Sequence, residues 1–284
     1  MRTLVHFRSE WYRAPMGRRV GMWMAVGMLG GAVGVGADVT PSSKPSAYAV
    51  LGFKSVTLRS LVHVDVGDVG CDGKGGTITL MSRAHVTGVV AAERVRLGRN
   101  ANVGQLFCTT QLDAAASTCQ AVTVPLVNSA ELPTFNPNPG QQAIRVQARA
   151  SMGPVAAGAY DDVIVGERGQ LTLSEGEYQV RSISLGKRAQ ITCQGACHIV
   201  VAERVLMKEF SEIGALDPRT VEIDVRGGGQ RAAFRAFRRS VVNATVFAPN
   251  GDVVLGESGH YTGAFIGNTV FVFQRAQIVG ASDL

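Results

Sequence analysis

The sequence predicts an all-β chain, a parallel β-helix (β-solenoid) in two homologous halves joined by a Pro-rich loop, with right-handed winding the preferred form. Three observations predict it. A nine-residue pattern recurs, with apolar residues at positions one, three and nine, often Gly at four and a small residue at seven. Eight copies are legible, starting at Val56, Ile78, Val95, Val163, Ile183, Val205, Val253 and Val270. Neighbouring copies within a cluster start 17 to 22 residues apart, which suits one coil of a solenoid. Third, Ala92-Glu93-Arg94-Val95 recurs as Ala202-Glu203-Arg204-Val205, so the halves echo each other. Composition agrees: 34 glycines and only 18% charged residues favour turn-rich β structure.

Within each copy, apolar positions one and three fall on one side of a strand. The Gly and charged pair that follow fit a turn, after which an apolar strand resumes. One such coil cannot bury its inward row alone. Stacked coils, ~4.8 Å apart, bury a continuous ladder of Val, Ile and Leu.

The elements follow in chain order. Residues 1–37 read as a secretory signal, with Arg18 and Arg19 ahead of an uncharged run from Gly21 to Val35 and a cut between Ala37 and Asp38. The layout around Met16 is that of the true start. The run is short for a membrane-spanning helix, which needs about 20 residues, and no second apolar span of that length follows. A linker at 38–47 leads into the first solenoid half, 48–106. Residues 107–153 break the pattern, and Pro125, Pro133, Pro137 and Pro139 mark a loop or linker over the solenoid surface. The second half is 154–284, with an Arg/Phe-rich insertion at 227–240. There Phe234 and Phe237 stand at helical spacing among Arg231, Arg235, Arg238 and Arg239, so a short amphipathic helix over a solenoid edge is expected.

The net charge of +6 comes largely from the leader. Residues 1–37 hold five Arg and one Glu, leaving 23 basic and 21 acidic residues elsewhere. That near balance argues against nucleic acid as a partner.

All five cysteines follow the leader, and an exported chain is expected to form disulfides. Cys193 and Cys197 are candidates for one, because Gln194-Gly195-Ala196 can turn the chain back. Metal binding with His198 and a c-type haem attachment are the alternatives for that motif. Cys108 and Cys119 are the second candidate pair, and Cys71, in a Gly-rich turn, is the free thiol. Asp65, Asp68 and Asp72 lie near it, but their spacing fits no calcium loop. His63, His85 and His260 all occupy position eight of a copy. No nucleophile elbow, phosphate loop, zincin helix or dinucleotide fingerprint is present. No catalytic set, cofactor or metal is therefore assigned. Glu93 and Glu203 read as a repeated solvent-facing pair, and Asp161, Asp162, Glu175 and Glu177 as turn residues.

The stretch from Gly158, GAYDDVIVGERGQLTLSEGEYQVRSISLGKRAQI, resembles the coils of secreted bacterial β-helix proteins of the myxobacterial type, as does APNGDVVLGESGHYTGAFIGNTVFV from Ala248. AYAVLGFKSVTL with GDVG is similar to bacterial ice-binding β-helices, and the V-x-L-G rhythm to bactofilin-like, polymer-forming ones. The resemblance covers 48–106 and 154–284 and implies the fold, with no assigned activity. The expected function is a non-catalytic structural or adhesive envelope protein, secreted, periplasmic or on the outer surface of a bacterium. A cell-surface glycan or envelope protein is the expected partner, and self-association is open. A polysaccharide-active β-helix enzyme and a self-assembling polymer are the alternatives.

Overall fold

In the computed structural model, the described residues are 41–112, 119–127, 132–227 and 232–280. The expected leader, with Ala37 and Asp38, lies outside them. The fold is a parallel β-solenoid of about 11 turns without α-helices among the described residues.

Each coil contributes three strand segments. The first face carries positions one to three of each copy, as in Thr77–Leu80 and Phe234–Ala236. A tight turn leads to the second face, as in Gln190–Cys193 and His260–Thr262. The third face includes Asp68–Cys71 and Val221–Val225. Long strands such as Cys197–Met207 carry the chain from the third face to the first.

The inward rows obey the sequence pattern. Val56, Leu58, Ile78, Leu80, Val205, Met207, Val253 and Leu255 are all fully buried. Burying each Val or Leu contributes roughly 1.5–3 kcal/mol relative to exposure. Position nine continues the core with Val64, Val86, Ile191, Ile213, Tyr261 and Ile278.

Two further copies complete the series. Ile144 to Met152 is one, and its first strand pairs in register with Val163–Val165. Phe234 to Val242 is the other. The segment expected to form an amphipathic helix is therefore a strand, Phe234–Ala236, whose Phe234 and Ala236 face inward beside Val205 and Met207. Spacing alone suggested a helix. The inward slots of the neighbouring coils decide for a strand.

The turn at each copy is the same. Among the described residues, every non-glycine with positive φ occupies position six of one of the ten copies, at 53° to 62°. Leu61, Arg83, Asn100, Arg149, Arg168, Arg188, Phe210, Arg239, Ser258 and Arg275 are those residues. In each pair of adjacent coils the position-six N–H donates to the position-five carbonyl of the next coil, as from Arg168 to Lys187 and from Arg188 to Glu209. This ladder satisfies the backbone at the corner and holds the left-handed conformation in place. In most copies position seven is small and buried, as Ala84, Ala189, Ser211 and Ala276 are, because it sits under the turn.

The order of coils in space differs from their order in the chain. On the first face the stack runs Ile144, Val163, Ile183, Val205, Phe234, Val253, Val270, then Val56, Ile78 and Val95. Tyr48–Leu58 thus pairs with Phe265–Val272, and the first half continues the stack where the second half leaves off. From Tyr48–Leu58, in mid-stack, the chain climbs to the end at Asn102–Gln111 and then returns to the opposite end at Ile144.

The return path is a strap along the third face. Gln120 pairs with Phe107, and the Val127 N–H donates to Asp72 Oδ1 at 2.8 Å. Phe135 meets Phe247 edge-on, the Asn138 N–H donates to Gln179 Oε1, and the Gly140 N–H donates to the Tyr160 carbonyl. Each contact lies nearer the Ile144 end than the one before. Leu126, Val127, Val122, Val124, Leu132 and Phe135 cover an outward apolar row that includes Leu51, Ala91, Phe107, Phe247 and Ile266. Residues 107–153, expected as a surface loop or linker, thus divide into the end of one strand, this strap and the first coil of the second half.

Candidate functional site

The cysteines come first. Cys108 and Cys119 lie 5.3 Å apart, Cα to Cα, and Cys193 and Cys197 lie 6.2 Å apart, both within disulfide range. Cys71 is buried and unpaired, and burial pushes its thiol up to about 11. Cys197 points into the core while His198, next along the strand, points outward. Alternation therefore separates the two side chains that a metal or haem reading of the motif would bring together. Among the described residues no three His, Cys, Asp or Glu side chains form a metal-holding group.

The three aspartates of the first half serve separate structural ends. Asp65 accepts from Gln277, Asp68 from the Val89 N–H and Asp72 from the strap. Glu93 accepts from the Gly75 N–H at 2.7 Å and so fixes a turn, whereas Glu203 is exposed. Asp161 and Asp162 both pair with Arg181. Burial raises the Asp162 carboxyl, but hydrogen bonds from Ser182 and Arg181 win and hold it below the usual range. Glu177 accepts from Gln179. His63 and His85 stand on adjacent coils with ring centroids 5.9 Å apart, and Gln277 separates them from His260.

One pair was not legible in the sequence. On the third face, register places Glu177, His198 and Glu222 side by side, and Gln179, Val200 and Asp224 in the next row. His198 Nε2 lies 2.8 Å from Asp224 Oδ2. Asp224 is 6% exposed, and burial outweighs the histidine and raises its carboxyl. His198 borders a cavity of about 380 Å³ lined also by Glu175, Arg219, Thr220 and Glu222. The 26-residue separation of His198 and Asp224 spans a coil whose length only the structure reveals.

A regular outward feature is the corner between the first and second faces. Position six supplies exposed arginines on six of the ten turns, Arg149, Arg168, Arg188, Arg239, Arg275 and Arg83, with Phe210, Ser258, Leu61 and Asn100 on the others. Position five, beside it, alternates in sign through Glu167, Lys187, Glu209, Arg238 and Glu257. Glu209 lies 3.7 Å from Lys187 and 3.2 Å from Arg238, so these acids are satisfied largely within their own column. The neighbouring arginine column keeps a positive surplus, with Arg275 reaching Glu257 at 3.9 Å.

Comparison with protein-family models, curated proteins and solved structures finds no match. Among the described residues no helix is long and apolar enough to cross a membrane.

Proposed function

We propose that the chain is an exported, non-catalytic structural or adhesive envelope protein that presents one rigid solenoid edge to a partner. The observation that supports it most is the corner. Ten turns of one conformation repeat in register and carry their charged side chains outward. A stack tied end to end by a strap can hold such side chains at fixed spacing without reorganising on contact. Two cysteine pairs at disulfide range suit an oxidising compartment. Fractionation of the native cells with protease shaving tests the location. Protein protected in the cytoplasm would overturn the reading, and protein lost from intact cells on shaving supports it.

A second reading, a polysaccharide-active enzyme, is favoured by the His198–Asp224 pair. A buried carboxylate holding an exposed imidazole at a cavity is an arrangement suited to proton transfer. Sugar ends released from a glycan panel, and no longer released by His198→Ala, would establish it in place of the first.

A further inference from the structure

The corner is not uniform along the stack. Position four of the turn, which ends the first face, carries Phe237, Gly256 and Phe273 on three successive coils. The two phenylalanines therefore stand two coil spacings apart, about 9.6 Å. Gly256 between them has no side chain, and a Cβ there would run into the Phe237 backbone. Val254, half-buried and outward on the first face, forms the floor. The result is a surface cavity of about 260 Å³ with an aromatic ring at either end.

Two arginines and two glutamates line this cavity, Arg235, Arg238, Glu209 and Glu257, and further guanidinium groups stand around it. The Arg235 guanidinium lies 4.8 Å from the Phe237 ring centroid. Arg59 sits 5.4 Å from Phe271 and 5.7 Å from Phe273, and its buried Nε has no hydrogen-bond partner. Arg188 and Arg239 flank Phe210 on the adjoining turn. Arg59, Arg188, Arg235 and Arg239 have no carboxylate partner among the described residues. The acids that line the cavity, Glu209 and Glu257, are held by Arg238, Lys187 and Arg275.

We infer that this corner binds a linear acidic polysaccharide of the uronic-acid type, with one sugar ring seated between Phe237 and Phe273 over Gly256. The inference rests on the proposed envelope role and names the ligand class for it. A hexose offers an apolar ring face to an aromatic side chain and hydroxyls and a carboxylate to arginine. The gap of two coils suits a ring seated between aromatic ends. The advance of an extended sugar chain is close to one coil, so carboxylates on alternate sugars meet Arg239 and Arg275, with Ser258 on the turn between them. A lipid surface fits less well, because guanidinium groups stand over the faces of both rings, Arg235 over Phe237 and Arg59 over Phe273.

The test measures binding of the purified protein to polygalacturonate, with dextran as a neutral polymer and phosphatidylglycerol vesicles as an anionic surface. Polygalacturonate binding that falls with added salt is expected, with none to dextran. Phe237→Ala and Phe273→Ala should each weaken it about tenfold, and Arg235→Glu should do the same without touching the core. Circular dichroism and thermal melting establish that each variant is folded. Equal binding to dextran, binding to vesicles alone, or polygalacturonate binding unmoved in all three folded variants would overturn the inference. Cell shaving separates the two proposals. Surface protein that ignores polygalacturonate defeats the site and spares the envelope role, whereas cytoplasmic protein that binds it does the reverse.

Discussion

Two buried residues make predictions at the scale of single side chains. The Cys71 thiol is packed in the core with its ionisation pushed up to about 11, so little thiolate exists at neutral pH. Native protein should therefore resist a thiol reagent at pH 8 and label fully in denaturant. Rapid labelling without unfolding would show the thiol to be reachable. Asp224 titrates in the opposite sense to a salt-bridged surface acid. Burial raises its folded-state value, so above the ordinary carboxylate range the folded protein still holds a proton that the unfolded chain has lost. Its contribution to stability thus falls as pH rises through that window. Melting temperatures from pH 3 upward should shift in favour of Asp224→Asn relative to the parent as pH increases, then level off. A difference that stays flat or moves the other way would show that the carboxyl is not raised.

The turn and the strap set the scale of elements. A non-glycine residue in the left-handed region costs roughly 1–2 kcal/mol, whereas glycine there loses about 0.5–1 kcal/mol of unfolded-chain entropy. Arg168→Gly should accordingly stabilise the fold by about 0.5–1 kcal/mol, read from urea denaturation; destabilisation would mean that the arginine side chain holds the turn. The strap answers to a part-buried polar contact. Asp72→Ala leaves the Val127 N–H without its acceptor, which should cost about 1–3 kcal/mol. Proteolysis should then begin within 119–143, and cuts elsewhere first would place the weak point outside the strap. The sequence foretold the coils far better than these connections. Alternating Val, Ile and Leu announce an inward row wherever they fall, but Phe234 and Ala236 fill that row with less regular side chains, and the spacing of Phe234 and Phe237 mimics a helix. The turn conformation was hidden because arginine, leucine and phenylalanine at position six carry no signal for positive φ. Only Asn100 does. His198 and Asp224 were hidden because their meeting depends on coil register, which a single strand does not encode.

At the scale of the whole molecule, the stack should survive a break in its covalent path. Val56 pairs with Val270 and Thr57 with Phe271, and the strap lies along the outside. A protease site inserted after the exposed Thr134, once cleaved, should leave two pieces that elute together from a sizing column without denaturant. Separation of the pieces would show that the strap, not strand pairing, joins the halves. The open edges carry their own protection: Pro154 in Ser151–Val155 offers no N–H to an incoming strand, and exposed Arg145 and Arg149 stand at the same end. Edge-to-edge growth from that end is accordingly disfavoured.

The joint between Tyr48–Leu58 and Phe265–Val272 also sets a timetable. Its two sides lie more than two hundred residues apart in the chain. At about 5–20 residues per second of synthesis, the earlier strand waits some 10–40 s for the edge it will occupy. Throughout that interval the coils from Tyr48 to Gln111 exist as an unfinished piece with a bare lower edge, the very surface that another nascent copy could claim. A chaperone that shields Tyr48–Leu58 during the wait, or a passage that keeps the chain extended until Val272 has emerged, would protect the molecule from trading partners with its neighbours.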